Sequence, residues 1–166
     1  MLVVYEAMRV PLTFRAAAIL GVAMVVPLGG CGDSSSACGV PVREELDPNS
    51  LLHVIDPTVA KYKSDPPTSG AHLSTPGPGG LVTAPMLPAL QVTVLERGDV
   101  LVQYRDDADR APLAPLVGNG VVVAPQPSLP ERVVVTAWTY KLICRSIDTT
   151  AISKFVGDHA GKPREH

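Results

Sequence analysis

The chain has 166 residues, a formal net charge of −2 and an apolar fraction of 46%. This length suits one ordinary domain and is short for two. No cluster of Lys and Arg occurs, and no basic stripe is interleaved with aromatic residues, so nothing predicts nucleic acid as a partner. The N-terminal half is rich in proline and glycine, which limits long helices there.

The first 30 residues have the organisation of an export signal. Arg9 and Arg15 supply positive charge, and residues 16–28 form an uncharged, mostly apolar run. That run has the length of a signal-peptide core and is short for a membrane span. The run Leu28-Gly29-Gly30-Cys31 resembles a bacterial lipobox, in which the cysteine is lipidated and becomes the first residue of the mature protein. An ordinary secretory signal with an incidental cysteine is the alternative.

Lipidation of Cys31 would make the membrane the first partner of the protein. At about 0.8 kcal/mol per buried CH₂, two long acyl chains anchor a protein stably where one does not. Residues 31–45 would then be the lipidated cysteine and a flexible tether, because Gly32 to Ala37 are too small and polar to bury surface. The expected location is the outer face of the cytoplasmic membrane.

Two cysteines remain after Cys31, and export would place them where disulfides form. A bond between Cys38 and Cys144 would close a loop of roughly 105 residues, worth at most about 4.7 kcal/mol in the chain-entropy model. A free Cys38 with a buried Cys144 is the alternative. No C-x-x-C spacing occurs, so the cysteines do not predict a metal site.

The most constrained stretch of the predicted globular domain, residues 46–162, is Asp65-Pro66-Pro67-Thr68-Ser69-Gly70-Ala71-His72. Consecutive prolines restrict the backbone, and Gly70 permits a turn with positive φ. His72 should therefore leave a stiff loop in a fixed direction, as a binding site requires. The alternative is a structural loop with a surface histidine. Residues 163–166 are expected to fray.

The pattern after residue 90 predicts the core. Gln91 to Leu95 alternates as a strand would, and Val100 to Tyr104 repeats the alternation, so Glu96-Arg97-Gly98 is interpreted as a tight turn between two strands. Residues 106–117 predict a polar turn and a short helix. Three further strands are expected. These are Val121 to Val123, Val133 to Val135, and Tyr140 to Cys144.

The last helix has clear boundaries, with Asp148 as N-cap and Gly161 near its end. The predicted fold class is therefore α+β. We expect a single domain with a mainly antiparallel sheet covered by two helices.

Three blocks carry a family resemblance: Asp65 to His72, Leu95 to Gly98, and Thr136-Ala137-Trp138. In this order they resemble a bacterial family known as domain of unknown function 3105, over roughly residues 53–155. The family has no established activity. Many members have histidine where this chain has Thr93 and Arg97, and a set of histidines with a glutamate would suit zinc or copper.

Arg97 departs from that pattern, because a guanidinium cannot bind a metal and repels one. No metal and no cofactor is therefore predicted, and the weak candidates for metal ligands are His72, Glu96 and His53. His53 is also interpreted as an ordinary core or edge histidine. Glu96 could equally be a solvated turn residue.

The predicted binding cleft combines His72, Glu96, Arg97 and Ser69. No catalytic residue is assigned, and an enzyme is less favoured than a binding protein. The first hypothesis is a non-enzymatic binding or envelope-assembly module whose partner is a cell-envelope protein or a glycan. The alternative is a metal-binding protein or a hydrolase that uses His72 and Glu96.

Overall fold

The computed structural model describes residues 36–118 and 120–162, which lie in one compact unit. The predicted signal peptide, the lipidation site Cys31 and the tail 163–166 lie outside the described residues. Within the described part of the chain, no helix is long and apolar enough to cross a bilayer.

The described residues form eight strands and three α-helices, and six of the strands make up the central sheet. The strands are β1 (Val42–Arg43), β2 (His53–Val54), β3 (His72–Leu73), β4 (Gly80–Leu81), β5 (Val100–Tyr104), β6 (Val121–Pro125), β7 (Val133–Ala137) and β8 (Tyr140–Cys144). The α-helices are α1 (Pro88–Glu96), α2 (Arg110–Leu113) and α3 (Thr149–His159). The single domain with a mainly sheet core is thus confirmed, but the described part of the chain has three helices, not two.

The central sheet has six strands in the order β1-β8-β7-β5-β6-β4, and β2 and β3 form a separate parallel pair. The pairs β1–β8, β8–β7 and β7–β5 are antiparallel, whereas β5–β6 and β6–β4 are parallel. The sheet is therefore mixed and not antiparallel throughout. The physical reason is that the segment containing α2 forms a crossover, which returns the chain to the same edge and in the same direction.

Helices cover both faces of the sheet, which explains the valine runs. Strands β5, β6 and β7 are buried on both faces, so their sequences are nearly continuous in apolar residues. On one face Leu113 of α2 and Ile152 and Phe155 of α3 join the core. On the other face Val92 and Leu95 of α1 pack against the sheet.

Residues 91–95 belong to helix α1, so the predicted strand is wrong. Every residue from Gln91 to Leu95 is buried, and a helix without a polar face shows no 3.6-residue pattern. Its β-branched residues imitate the alternation of a strand. The helix begins with Pro88, which suits a first turn, and the Thr93 hydroxyl donates to the Ala89 carbonyl at 2.7 Å.

The predicted strand turn at Glu96-Arg97-Gly98 is instead the end of α1. Gly98 has φ of 93°, and its N–H donates to the Leu95 carbonyl at 2.9 Å. The Asp99 N–H donates to the Val94 carbonyl at 3.3 Å, which completes a Schellman motif. Glu96 and Arg97 therefore lie at the carboxyl end of a buried helix, where their positions are fixed.

Two further predictions are confirmed. Asp148 caps α3, since its carboxylate accepts a hydrogen bond from the Ala151 N–H at 3.0 Å. Cys38 and Cys144 form a disulfide across a sequence separation of 106 residues, and both cysteines are buried. The disulfide ties the start of the described chain to strand β8.

Candidate functional site

The loop from Asp65 to His72 is buried from Pro66 onward, so it is an internal connection and not a surface loop. Its groups bond to distant parts of the chain. The Thr139 N–H donates to the Thr68 carbonyl at 3.0 Å, and the Tyr62 hydroxyl donates to the Ala71 carbonyl at 2.6 Å. The loop thereby joins the N-terminal segment to the turn between β7 and β8.

Gly70 is the position where this loop needs glycine. Its φ is 130°, and a Cβ added there would meet the Tyr62 ring at 2.9 Å. Tyr62 is partly buried against this loop. Burial, with a smaller contribution from the negative charge of Asp47, raises the pKa of the Tyr62 phenol to about 12. Tyr62 therefore stays a neutral hydrogen-bond donor at physiological pH.

His72 is 3% exposed, and its orientation is set by its own loop. Its ring Nδ1 lies 3.0 Å from the Gly70 carbonyl oxygen, and its backbone N–H donates to the Leu52 carbonyl at 3.1 Å. Because a carbonyl oxygen can only accept, Nδ1 of His72 carries a proton in this bond. The alternative interpretation of His72 as a surface histidine is therefore wrong, because its side chain is buried.

His53 takes the exposed position next to His72. The two residues are paired in the register of β2 and β3, and their rings meet edge to face with centroids 4.7 Å apart. His53 is exposed, so it presents an imidazole to solvent while His72 supports it from the buried side.

A surface depression of about 320 Å³ brings His53 together with Glu96 and Arg97. Its lining also includes Leu73 and Thr93, which are joined by a hydrogen bond of 2.9 Å from the Leu73 N–H to the Thr93 hydroxyl. The structure thus places two residues of the predicted cleft in one depression. His53, and not His72, is the histidine that lines it.

Arg97 shapes the depression through its bonds. Its guanidinium donates to the carbonyls of Gly77 at 2.8 Å and Pro78 at 3.0 Å, and it pairs with the Asp99 carboxylate. These bonds fasten the loop before β4 to the end of α1. The charge of Arg97 is balanced by Asp99, so Arg97 acts here as a clamp for the wall of the depression.

Ser69 lies elsewhere, although it shares a loop with His72. Its hydroxyl accepts a hydrogen bond from the Asp47 N–H at 2.9 Å, and it lines a separate polar cavity of about 280 Å³ with Glu44 and Thr68. Ser69 therefore lies beside Glu44 and Thr68, whereas His72 lies beside His53.

The metal candidates do not form a ligand set. Among residues 36–118 and 120–162, no group of three or more His, Cys, Asp or Glu is placed to hold a metal ion. His53, His72 and Glu96 are included in that statement.

The partly buried ion pair between Glu44 and Lys141 is not predicted by the sequence. The Lys141 Nζ lies 2.6 Å from Glu44 Oε1, and the two side chains are 8% and 23% exposed. Ser64 and Thr68 donate their hydroxyls to Glu44 Oε2, each at 2.7 Å. Burial alone raises the pKa of Glu44, but the bonds from Lys141, Thr68 and Ser64 outweigh it and lower that pKa.

A third cavity, of about 230 Å³, contains the aromatic residues Trp138 and Tyr140. Trp138 is 8% exposed, and the Tyr140 ring contacts the His159 ring with centroids 4.3 Å apart. The Arg43 guanidinium lies 5.9 Å from the centroid of the same tyrosine. Burial lowers the pKa of His159, although Asp158 opposes that effect. The Tyr140 ring is therefore packed against His159 and Arg43 of the same chain.

The fold and the depression define a disulfide-bonded domain with helices on both faces of a mixed sheet and a small polar site at the end of a buried helix. Residues 53–166 match the model of a family described as "Protein of unknown function (DUF3105)". Because the match covers more than half of the chain, the protein belongs to this family. No curated protein and no solved structure matches the chain.

Proposed function

We propose that this protein is a lipid-anchored, extracytoplasmic binding module. Cys31 carries the lipid, and a protein of the cell envelope binds beside the depression lined by His53, Glu96 and Arg97. The module assembles or holds its partner and carries out no chemistry of its own.

The observation that carries this proposal is a row of exposed aliphatic side chains around His53. Leu51, Leu52, Ile55 and Val59 are 73%, 54%, 101% and 63% exposed, and all lie within one short segment. Contiguous exposed apolar residues beside polar groups are typical of interaction sites. We call residues 51–59 the apolar segment.

The chemistry of the apolar segment favours a protein partner over a glycan. A sugar ring packs best on an open aromatic face, and the large exposed side chains here are aliphatic. The aromatic ring of Tyr140 already contacts His159 and Arg43. An aliphatic surface with an imidazole at its centre instead suits an apolar stretch of polypeptide.

Two other features support the proposed extracytoplasmic location of the protein. The lipobox ends at Cys31, and the Cys38–Cys144 disulfide follows it closely in the sequence. Disulfides persist in oxidising compartments, which agrees with an exported domain. A lipid at Cys31 would keep the binding surface within the envelope, where the proposed partner resides.

The proposal is tested by photo-crosslinking from the full-length protein in cells. Benzoylphenylalanine in place of Ile55 should give a discrete, protease-sensitive adduct, whose protein component is identified by mass spectrometry and then titrated as a purified partner. The matched control is the same probe at Lys154, which is exposed on α3 on the opposite face of the sheet.

The adduct should weaken when Leu51 and Leu52 are both replaced by Asp in the Ile55 probe variant. The absence of an adduct at Ile55, or the same adduct at Lys154, would overturn the proposed surface. An adduct whose added mass is removed by a muramidase would mean that the partner is a glycan.

A further inference from the structure

The edge of the sheet at β1 exposes apolar side chains next to the tether. Val40 and Val42 are 84% and 57% exposed, and Ile143 of the neighbouring strand β8 is 40% exposed. Val42 is paired with Lys141, and Ile143 lies two residues further along β8. Since side chains alternate along a strand, Val42 and Ile143 lie on the same side of the strand pair.

The length of the tether limits how far this edge can lie from the lipid. Arg145 holds the start of the described chain, since its N–H donates to the Ala37 carbonyl at 2.8 Å and its guanidinium to the Ser36 carbonyl at 3.3 Å. Cys31 is five residues before Ser36. Five extended residues span at most about 18 Å.

That reach is smaller than the domain itself. A compact domain of roughly 130 residues has a diameter of roughly 35 Å. With a lipid on Cys31, the part of the domain around Ser36 would therefore lie in the half of the domain nearer to the membrane. The disulfide at Cys38 strengthens this restraint, because it fixes the same stretch of chain to β8.

The charges at this edge agree with an anionic surface. Arg145 is exposed, and the neighbouring carboxylates of Glu44 and Glu45 are paired with lysines. Exposed basic residues close to a bilayer are attracted to anionic headgroups.

We propose that the β1 edge, formed by Val40, Val42, Ile143 and Arg145, rests on the surface of the lipid bilayer. This inference rests on the proposed anchor at Cys31. It adds a second point of contact, by which the bilayer fixes the orientation of the domain and not only its location.

The test uses full-length protein purified from membranes, whose lipid is first verified by mass. Val42→Trp and Val40→Trp variants are reconstituted into vesicles of brominated phosphatidylcholine and phosphatidylglycerol, and the emission of the wild type, due to Trp138, is subtracted. The matched control is Leu81→Trp on β4, which is 38% exposed at the opposite edge of the sheet. Five strand spacings place it about 24 Å away.

Bromine should quench the tryptophan at position 42 or 40 at least about twofold more than the one at position 81, because interfacial groups enter only the outer 5–10 Å or so of the bilayer. Equal quenching of all three variants would overturn the proposed contact of the β1 edge with the bilayer. Because the lipid on Cys31 is verified by mass beforehand, this result would not contradict the anchor. A protein without lipid would instead contradict the anchor itself.

Vesicles without phosphatidylglycerol form the second arm of the test. Reduced quenching at position 42 supports the contact of Arg145 with anionic headgroups. Unchanged quenching would restrict the contact to the apolar side chains and overturn the part assigned to Arg145.

Discussion

Replacement of Lys141 by Met should destabilise the protein through Glu44. Lys141→Met keeps a straight apolar chain of similar size but removes the ammonium group that lies 2.6 Å from the Glu44 carboxylate. The Glu44 carboxylate stays in its partly buried position just after β1. Loss of one partner of a buried pair is costly because the other charge is left without compensation.

The magnitude follows from the surroundings of Glu44. Breaking a buried pair costs about 3–5 kcal/mol. Glu44 retains 23% exposure and two hydroxyl donors, Ser64 and Thr68, so water and these donors compensate part of the loss. We therefore expect the lower end, about 3 kcal/mol in the free energy of unfolding at neutral pH.

The pH dependence has a definite sign. The folded-state pKa of Glu44 is lowered, so its stabilising contribution is present above the unfolded pKa of about 4.3 and is lost as the pH falls through the folded value. Urea unfolding of wild type and Lys141→Met, with the disulfide intact, should show a difference that shrinks below about pH 4 as Glu44 becomes neutral.

The matched control is Lys154→Met on α3. Lys154 forms an i,i+4 pair with Asp158, but its side chain is 75% exposed, so no measurable change is expected. If Lys141→Met unfolded with the same midpoint as Lys154→Met, or if its deficit persisted undiminished at acid pH, the ion pair would not have the role described.

Three further substitutions test the fold. Cys38→Ser should lower the free energy of unfolding, measured in urea, by up to about 4.7 kcal/mol, and equal stability of oxidised and reduced wild type would contradict this. Gly70→Ala should lower the free energy of unfolding by at least about 2 kcal/mol, because φ is 130° and the new Cβ meets Tyr62 at 2.9 Å. The control is Gly157→Ala on α3, which has open space around it and should be neutral or stabilising in the same thermal melts. Gln103→Leu should raise stability by about 1 kcal/mol, since neither polar atom of this fully buried side chain has a partner among the described residues, and a loss of stability would reveal one.

The sequence predicted those elements whose local chemistry decides their structure. The valine runs of β6 and β7 are buried on both faces of the sheet, and the capping residue Asp148 defines the start of α3. Helix α1 could not be predicted in this way. Six of its nine residues are buried, so tertiary packing and not amphipathic pattern holds it as a helix.

The candidate site was predictable only in part, because its neighbours meet through tertiary pairing. The sequence singled out Glu96 and Arg97, and both line the depression. It also singled out His72, but the parallel pairing of β2 with β3 buries that residue and exposes His53. Parallel strands need long connections, so no local pattern reports which residues they align.

The ion pair of Glu44 with Lys141 shows the same limit. The two residues are 97 positions apart, and each stands among ordinary strand or linker residues. Only the pairing of β1 with β8 brings them together, and the Cys38–Cys144 disulfide joins the chain before β1 to the end of β8. Ser69 is likewise predicted to lie with His72 because they share a loop, yet Ser69 lines the cavity near Glu44 whereas His72 is buried beside His53.

The most direct test of the central claim, a lipid-anchored extracytoplasmic module, is the mass of the mature N-terminus after metabolic labelling with a fatty-acid probe. The account predicts that wild-type protein carries the label, begins at Cys31 and partitions with membranes, and that Cys31→Ser carries no label. Equal labelling of both proteins, or a mature chain that begins elsewhere and lacks acyl chains, would contradict it.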